Sequence, residues 1–276
     1  MRLLSALGHR LPPGMQAWAR RRLGLPPTPW EYVADRWPEC DARAAGWAHP
    51  SVAASLAEHW PAYAKVLDGT AALGLWPLAP RARDELAHNL MMTFGYVVAR
   101  ASEGRTSLSV LDWGGSIGHY ALAARRLFPD IAFDYTIRDL PEICATIETL
   151  LPEIHTATTD EAAFSRSYDL VFASNSIQYA PDWKPLIRRL AEAARQWLFV
   201  TCVPVVTRSE DFVIVQRPYA YGLATEYISW VFNRDKLLKS FEELGLTLLR
   251  EFLAGGAINA QGAPEIAEHE GFLFRR

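Results

Sequence analysis

Three glycines and one acid lie where a hydrophobic, strand-like run gives way to a helix-like segment. Asp112 ends the run, Gly114, Gly115 and Gly118 follow it, and a helix is predicted from Gly118 to Phe128. Because glycine lacks a Cβ, the turn lets a ligand approach the backbone closely, and the helix N-terminus favours an anionic group on that ligand. The carboxylate of Asp112 favours a cationic group instead. The motif therefore predicts a binding site for a ligand that carries charges of both signs.

The spacing of the glycines distinguishes between two classes of ligand. A dinucleotide-binding turn needs two glycines separated by one residue, whereas Gly114 and Gly115 are adjacent. Asp112 would also repel a pyrophosphate. The order D-x-G-G-x-x-G instead resembles the cofactor-binding turn of class I S-adenosylmethionine (SAM) methyltransferases, whose cofactor has a sulfonium, an ammonium and a single carboxylate. An ordinary α/β connection is the alternative for this motif taken alone.

A second acid follows the next predicted strand. Phe133 to Arg138 are strand-like, and Asp139 and Leu140 come directly after them. In a βαβ unit of about 30 residues, an acid at the tip of the second strand reaches the ribose hydroxyls of a bound nucleoside. Asp139 can also cap the helix that Pro141 begins. SAM and NAD both contain a ribose, so Asp139 predicts a nucleoside cofactor without choosing between them.

Polar residues follow a third strand-like run, from Tyr168 to Ala173. They are Ser174, Asn175, Gln178 and Tyr179. Because the carboxyl ends of strands in an open α/β sheet border the ligand-binding crevice, these four residues are predicted to line a pocket. Loop and capping roles are the alternative, above all for Ser174.

These three segments together resemble class I SAM methyltransferases. More narrowly, residues 174–179, 212–218 and 227–233 resemble a bacterial family of methyltransferases associated with surface-polysaccharide or natural-product clusters. The similarity runs from about Trp30 to the C-terminus. It implies an enzyme that transfers a methyl group from SAM to a small molecule or a sugar, with O-methylation expected in secondary metabolism or polysaccharide biosynthesis. The cofactor-binding residues that it implies are Asp112, Gly114, Gly115, Gly118, Asp139, Leu140, Ser174 and Asn175.

Gln178 marks a departure from related enzymes. In plant-type small-molecule O-methyltransferases, which also carry the D-x-G-G turn, a histidine after the fourth strand deprotonates the acceptor. Gln178 takes that place here, and an amide orients an acceptor by hydrogen bonding but cannot take its proton. The catalytic candidates are therefore Gln178, His88 and His119. The missing histidine leaves a SAM-binding scaffold without methyl transfer as an alternative function, and the glycine spacing disfavours a nicotinamide oxidoreductase.

The elements that must position these residues divide near residue 105. Residues 1–104 are predicted to form a helical cap, and residues 105–276 to form the SAM-binding domain. The second part alternates strands and helices, which predicts an α/β fold with a doubly wound, Rossmann-like sheet.

Within the cap, two helical regions are predicted. Trp30–Leu75 has helical periodicity, and a longer helix runs from Pro80 to Ala101. One face of the longer helix is predicted to pack on the sheet, with His88 and Tyr96 as candidates to line the active site. Its residues are His88, Met91, Met92, Gly95 and Tyr96. Breaks in the first region are predicted at Pro38, Pro50, Pro61 and Pro77.

An aromatic-rich segment at about residues 205–232 interrupts the alternation. Tyr227 and Trp230 lie in it, and flat rings with polar groups can bind a small organic ligand or a sugar. The substrate-binding candidates are these two residues together with Tyr96 and Tyr179. Because tyrosine and tryptophan are also enriched in protein interfaces, contact with a second copy in a homo-oligomer is the alternative.

Composition argues against several other functions. The 276 residues are 50% apolar and 21% charged with a net charge of −3, so a substantial core is expected and no strong field attracts nucleic acid or lipid. Cys40, Cys144 and Cys202 lack the spacing of a metal site and indicate a reducing compartment. No apolar run is long enough to cross a membrane, and Met1–Leu25 lacks the apolar core of a signal peptide. A cytoplasmic enzyme without a metal ion is expected.

Overall fold

The computed structural model describes residues 28–33, 37, 46–67 and 81–276, apart from the side chains of residues 81–87, 220 and 221. Within these ranges the chain forms one mixed sheet flanked by helices. The strands are β1 (Trp30–Val33), β2 (Ser107–Trp113), β3 (Ala132–Arg138), β4 (His155–Ala157), β5 (Tyr168–Ser174), β6 (Ala194–Val206), β7 (Phe212–Gln216), β8 (Tyr227–Asn233), β9 (Thr247–Ile258) and β10 (Ala267–Arg275). The helices are α1 (Pro50–Leu67), α2 (Arg81–Ala101), α3 (His119–Leu127), α4 (Pro141–Leu150), α5 (Asp160–Ala163), α6 (Trp183–Ala193) and α7 (Arg234–Glu242).

Five parallel strands form the centre of the sheet, in the order β4-β3-β2-β5-β6. A helix follows each of the first four of these strands along the chain, and β10 runs antiparallel to β6 and to β9. The strand order reverses between β2 and β5, which creates the crevice where open α/β sheets bind ligands. The predicted doubly wound, Rossmann-like α/β fold is confirmed.

Two apolar layers cover the two faces of the sheet. Neighbouring residues of a strand point to opposite faces, and Val110 belongs to one buried cluster whereas Leu111 belongs to the other. Residues of α1 to α4 pack in the first cluster, and residues of α5 to α7 pack in the second. The sheet is therefore held between two helical layers, and its carboxyl edge is left to carry a site.

The aromatic segment forms the antiparallel pair β7 and β8 at one side of the sheet. β8 joins the last two residues of β6, and β1 pairs with the other edge of β7. The prediction that Trp30–Leu75 is helical is therefore wrong for Trp30–Val33. The cause is tertiary, because β7 offers unpaired backbone groups at its edge, and an ion pair between Arg217 and Glu31 adds to the docking.

The prolines of the N-terminal region differ in their effects. Pro50 begins α1, as a first-turn proline can. Pro61 lies inside α1, so the break predicted there is wrong. The adjacent Trp60 is buried in the core, and packing of this kind is the main source of helix stability in proteins. Pro38 and Pro77 lie outside the described residues.

The face of α2 that packs on the sheet is not the predicted one. His88, Met92 and Tyr96 are exposed, Met92 to 62% of its surface. A second stripe with spacings of three and four is more apolar, and it turns toward the sheet in place of the predicted stripe. The residues of this buried stripe are Phe94, Val97, Val98 and Ala101.

Three features considered from composition are membrane-spanning helices, metal sites and the cysteines. No helix in the described part of the chain is long and apolar enough to cross a membrane, and no cluster of histidine, cysteine or acidic residues there is arranged to hold a metal ion. Cys144 and Cys202 are buried free thiols. Cys40 and Met1–Leu25 lie outside the described residues.

Candidate active site

A cavity of about 540 Å³ opens at the carboxyl ends of β2, β3 and β5. This volume is typical of a small-ligand pocket. The turn between β2 and α3 lines one part of it, and Val52 and Leu56 of α1, together with Trp47, line another. The cavity thus lies between the carboxyl edge of the sheet and the elements that precede the sheet in the chain.

The turn after β2 is packed closely on both sides, which explains its adjacent glycines. A Cβ at Gly115 would lie 2.6 Å from Cγ of Asp112, and a Cβ at Gly114 would lie 2.5 Å from Cβ of Ser176. Gly114 and Gly118 also have φ of +72° and +89°, in the left-handed region that glycine tolerates. A side chain at Gly114 or Gly115 would therefore displace the turn.

Asp112 lies beneath this turn and is fully buried. Its Oδ2 accepts a hydrogen bond of 3.0 Å from the hydroxyl of Tyr135, whereas its Oδ1 has no partner among the described residues. Burial raises the pKa of the carboxyl to about 8. An unpaired carboxyl oxygen at such a place is stabilised when a cation lies over the turn.

Asp139 lines the cavity and links the turn to β3. Its Oδ2 accepts from the backbone N–H of Ser116 at 2.8 Å, and its Oδ1 accepts from the backbone N–H of Leu140 at 2.7 Å. Burial raises the pKa of this carboxyl as well. The N-cap of α4 is Leu140, without a side-chain capping bond, so Asp139 does not take the N-cap position that was its alternative role. Each carboxyl oxygen keeps a further lone pair with which it can accept from a ligand.

Two residues at the end of β5 also reach the cavity, as predicted. Oγ of Ser174 lies 3.0 Å from the hydroxyl of Tyr120. Asn175 is exposed and has φ of +50°, and its backbone N–H donates to the carbonyl of Thr201 at 2.9 Å. Ser116 has φ of +53°. Non-glycine residues with such backbone conformations are uncommon and concentrate at functional sites.

Trp47 forms an aromatic wall that no sequence motif predicted. It stacks on Tyr227 with ring centroids 4.1 Å apart and contacts Tyr179 edge-on at 5.0 Å. The hydroxyl of Thr225 donates to the carbonyl of Gly46 at 2.9 Å and fixes the turn that carries the indole. Trp47 and Tyr179 line the cavity, whereas Tyr227 is buried behind them.

A model of a methyltransferase domain family matches residues 82–251, which is more than half of the chain. The chain belongs to this family. The matched range contains the glycine-rich turn, both acids and the end of β5. No curated protein matches the methyltransferase at a significant level.

Several solved methyltransferase structures align with the chain. A protein from Galdieria sulphuraria described as a sarcosine dimethylglycine methyltransferase aligns with a TM-score of 0.51 at 13% identity, over 80% of this chain and 97% of that chain. Magnesium protoporphyrin IX methyltransferase from Synechocystis with bound SAM aligns with a TM-score of 0.49 at 14% identity, over 82% and 95%. The Burkholderia thailandensis 1,6-didemethyltoxoflavin-N1-methyltransferase aligns with a TM-score of 0.46 at 16% identity, over 88% and 99%. At these identities the similarity concerns the fold alone.

SAM is the cofactor of this class of methyltransferase, and the residues at the cavity fit it. Asp112 lies beneath the turn and is not part of the cavity wall, and a cation bound over the turn would favour the ionised form of its carboxyl. The free lone pairs of Asp139 suit ribose hydroxyls, and Leu140 supplies an apolar contact beside them. The first amides of α3 suit the carboxylate. The chain is a SAM-dependent methyltransferase.

The structure separates the catalytic candidates. His119 lines the cavity, but its ring packs between Trp60 and Tyr63, and burial lowers its pKa to about 4. It is therefore a weak base at neutral pH. Gln178 is only 1% exposed and does not line the cavity; its amide donates instead to Oδ1 of Asn175. The expectation that Gln178 contacts the acceptor directly is wrong, because the side chain turns into the core.

Three other candidates lie away from the cavity wall. His88 is exposed on α2, and the ring of Tyr96 packs against Phe252 of β9. Because α2 buries its second stripe, His88 and Tyr96 lie on faces of the helix that point away from the cavity. Trp230 donates from its indole nitrogen to the carbonyl of Pro181, which does line the cavity, at 3.2 Å. Trp230 thus supports the wall without forming it.

Sequence reasoning missed Trp47 and Tyr120 as cavity residues. Tyr120 follows His119 at the start of α3, and its position in the first helical turn after the glycines was the available signal. Trp47 had no comparable signal, since the residues that hold it come about 180 positions later in the chain.

Proposed function

We propose that this methyltransferase transfers the methyl group of SAM to an oxygen atom of a small, uncharged organic molecule or sugar, in secondary metabolism or polysaccharide biosynthesis. The observation that carries the proposal is the cavity beside the cofactor residues. Its wall on the side of Trp47 and Tyr179 continues through Ala180 and Pro181, and none of these carries a charge. Aromatic and apolar walls with a few polar groups suit a small neutral ligand.

Charge supports the same acceptor class. Among the described lining residues, Arg138 is the one arginine or lysine and Asp139 the one acid. Nε of Arg138 pairs with Asp160 at 2.6 Å, and Asp139 is bonded to the turn. An anionic acceptor would therefore find no uncommitted cation among these residues.

Positioning and exclusion of water are the main contributions expected of the protein. Bound SAM supplies a methyl group on a good leaving group, and an acceptor atom held in line needs little further activation. Val52, Leu56 and Trp47 border the cavity with apolar surface. Because His119 is a weak base, we infer that the hydroxyl proton of the acceptor is released to water.

The predicted cap takes a narrower form in this proposal. We propose that the turn Gly46–Ala48 and α1 cover the cavity, whereas α2 packs on the sheet as part of the core. The division near residue 105 would then separate the covering elements from the core only approximately.

Calorimetric titration with SAM, S-adenosylhomocysteine (SAH) and NAD tests the cofactor. SAM and SAH are expected to bind and NAD is not. Incubation with SAM and a panel of phenols, sugars and amines, followed by mass spectrometry, tests the transfer. Methylated product is expected from neutral hydroxyl compounds. Binding of NAD without SAM, or methylation of anionic acceptors alone, would contradict the proposal.

A further inference from the structure

Two side-chain amides and one backbone carbonyl form a cluster at the end of β5. Nε2 of Gln178 donates to Oδ1 of Asn175 at 2.7 Å and to the carbonyl of Cys202 at 3.3 Å. Gln178 is buried, whereas Asn175 is exposed and lines the cavity. The cluster therefore connects the interior of the protein to the cavity wall.

The carbonyl of Cys202 determines how both amides are oriented. A backbone carbonyl only accepts hydrogen bonds, so the atom of Gln178 that faces it must be the nitrogen. That same nitrogen faces Asn175, so the atom of Asn175 that receives it must be the oxygen. Cys202 itself has φ of +56° within β6, a conformation that is unfavourable for a non-glycine residue. A residue of regular β-strand conformation has a negative φ, so the backbone of Cys202 departs from regular strand geometry at this point.

The contacts of Tyr179 agree with this orientation of the two amides. Its hydroxyl donates to Oε1 of Gln216 at 3.0 Å, so its oxygen is left to accept. Burial raises the pKa of Tyr179, and Asn175 counteracts that rise as a donor beside the hydroxyl would. Both N–H groups of Gln178 are taken by Asn175 and by the carbonyl of Cys202, so Asn175 is the amide with N–H groups left to donate.

At the cavity wall, this arrangement of amides presents a hydrogen-bond donor. Oδ1 of Asn175 is turned toward Gln178, so Nδ2 forms the other arm of the amide and has two N–H groups that can be donated to a ligand. A hydroxyl oxygen has two lone pairs, so it can accept from Asn175 with one and attack with the other. A neutral amine nitrogen has one lone pair, and accepting the same hydrogen bond removes its nucleophile.

We propose that Gln178 is a positioning residue that fixes the amide of Asn175 as a hydrogen-bond donor and so selects oxygen over amine nitrogen as the methyl acceptor. This inference rests on the proposed function. In the transfer, a lone pair of the acceptor oxygen forms the new O–C bond, the S–C bond breaks with its electron pair left on sulfur, and the hydroxyl proton goes to water. Gln178 acts through Asn175 and touches neither reactant.

The test uses para-cresol and para-toluidine, which have the same shape and are both uncharged in mildly alkaline buffer. Their affinities for the SAH complex are measured by calorimetry, and methyl transfer from SAM to each is followed by mass spectrometry. The wild-type protein is expected to favour the phenol at least about fivefold, the contribution of one hydrogen bond. A wild-type protein with no such preference overturns the proposal.

Two variants reverse the donor by different routes. In Gln178→Glu the carboxylate cannot donate, so Asn175 rotates its N–H groups toward it and presents Oδ1 to the cavity. In Asn175→Asp the exposed side chain presents oxygen directly, without a change in the core. Both are expected to lower the phenol-to-amine preference at least about fivefold, and an unchanged preference in the Asn175→Asp protein overturns the proposal even if Gln178→Glu does not fold.

SAH affinity separates this proposal from the proposed function. It is expected to change less than about twofold in Gln178→Glu, since that residue does not line the cavity. Failure of the wild-type protein to bind SAH contradicts the proposed function. Binding of SAH with equal use of both probes contradicts the role of Gln178 alone.

Discussion

The proposed cofactor side and the proposed acceptor side of the cavity are built in different ways. The cofactor side consists of short segments at the ends of β2, β3 and β5, held largely by backbone N–H groups, as where Asp139 receives Ser116 and Leu140. The acceptor side consists of side chains from distant segments, as where Trp47 stacks on Tyr227. A site made by backbone geometry constrains a few residue types closely, whereas a site made by packed rings tolerates many. The two sides should therefore respond differently to substitution.

Gly115→Ala is expected to have the largest effect, on the cofactor side. The added Cβ would lie 2.6 Å from Cγ of Asp112, so the turn must move away from the carboxylate. SAM affinity measured by calorimetry should fall more than about a hundredfold, or about 3 kcal/mol. Gly95→Ala is the matched control, because the nearest heavy atom to its Cβ would be 4.0 Å away. Equal affinities for the two variants would remove the turn from the cofactor site.

Trp47→Ala should have the next largest effect, on stability. Loss of the half-buried indole removes its stack on Tyr227, and the free energy of unfolding in urea is expected to fall by about 2 to 3 kcal/mol. SAM affinity should change less than about threefold, because Trp47 is not part of the glycine-rich turn. Trp47→Phe keeps an aromatic ring and should lose less than half as much. A loss of SAM affinity as large as that of Gly115→Ala would contradict the division between the two sides.

Asp139→Asn sharpens the comparison by removing charge while keeping shape. An amide has one oxygen, so it cannot accept from both Ser116 and Leu140. SAM affinity is expected to fall about tenfold. Asp134→Asn, an exposed acid on the same strand that pairs with Arg166, is the control and should bind SAM normally. Similar losses in the two variants would indicate a general charge effect and not a ribose contact.

The pH dependence of stability reports on Asp112. Its folded pKa of about 8 is above that of an unfolded aspartate, so the folded chain holds a proton that the unfolded chain releases. The free energy of unfolding without ligand should therefore fall as pH rises from about 4 to about 8, by up to about 1.4 kcal/mol per pH unit. Asp112→Asn should lack this component. Urea unfolding of both proteins across this range measures the difference, and parallel curves would show that Asp112 does not titrate there.

Tyr227→Phe should have the smallest effect. The hydroxyl of Tyr227 is buried and has no partner in the described part of the chain. Its removal therefore leaves the stack on Trp47 intact and relieves an unpaired polar group. The free energy of unfolding should be unchanged or higher by about 0.5 kcal/mol. A clear loss of stability would mean that this hydroxyl has a partner essential to the acceptor side.

The contrast also explains how much the sequence revealed. The sequence singled out Gly114, Gly115 and Asp139, which line the cavity, because the turn demands glycine and because the sheet places an acid at the end of β3. These requirements are local, so a short stretch of sequence carries them. The doubly wound sheet was predictable for the same reason, from the alternation of strand and helix patterns.

The predictions that proved wrong concern residues whose conformation depends on segments far away in the sequence. Gln178 turns inward because the carbonyl of Cys202, on the next strand, accepts its amide. The two overlapping apolar stripes of α2 could be ranked only by knowing what packs on Phe94. Trp30–Val33 is a strand only because β7 is there to pair with it. None of these partners can be read from residues nearby in sequence.

The pairing of β1 with β7 has a consequence for biogenesis. Trp30 pairs with Gln216, so a ribosome must add most of the chain after β1 before that strand can be sealed into the sheet. The segments at the ends of β2, β3 and β5 will already have been synthesised by then. The cofactor-binding segments can therefore fold before β1 pairs with β7 and before the proposed acceptor side is complete. Until then β1 is an unpaired strand, and we expect it to be the segment that most needs chaperones.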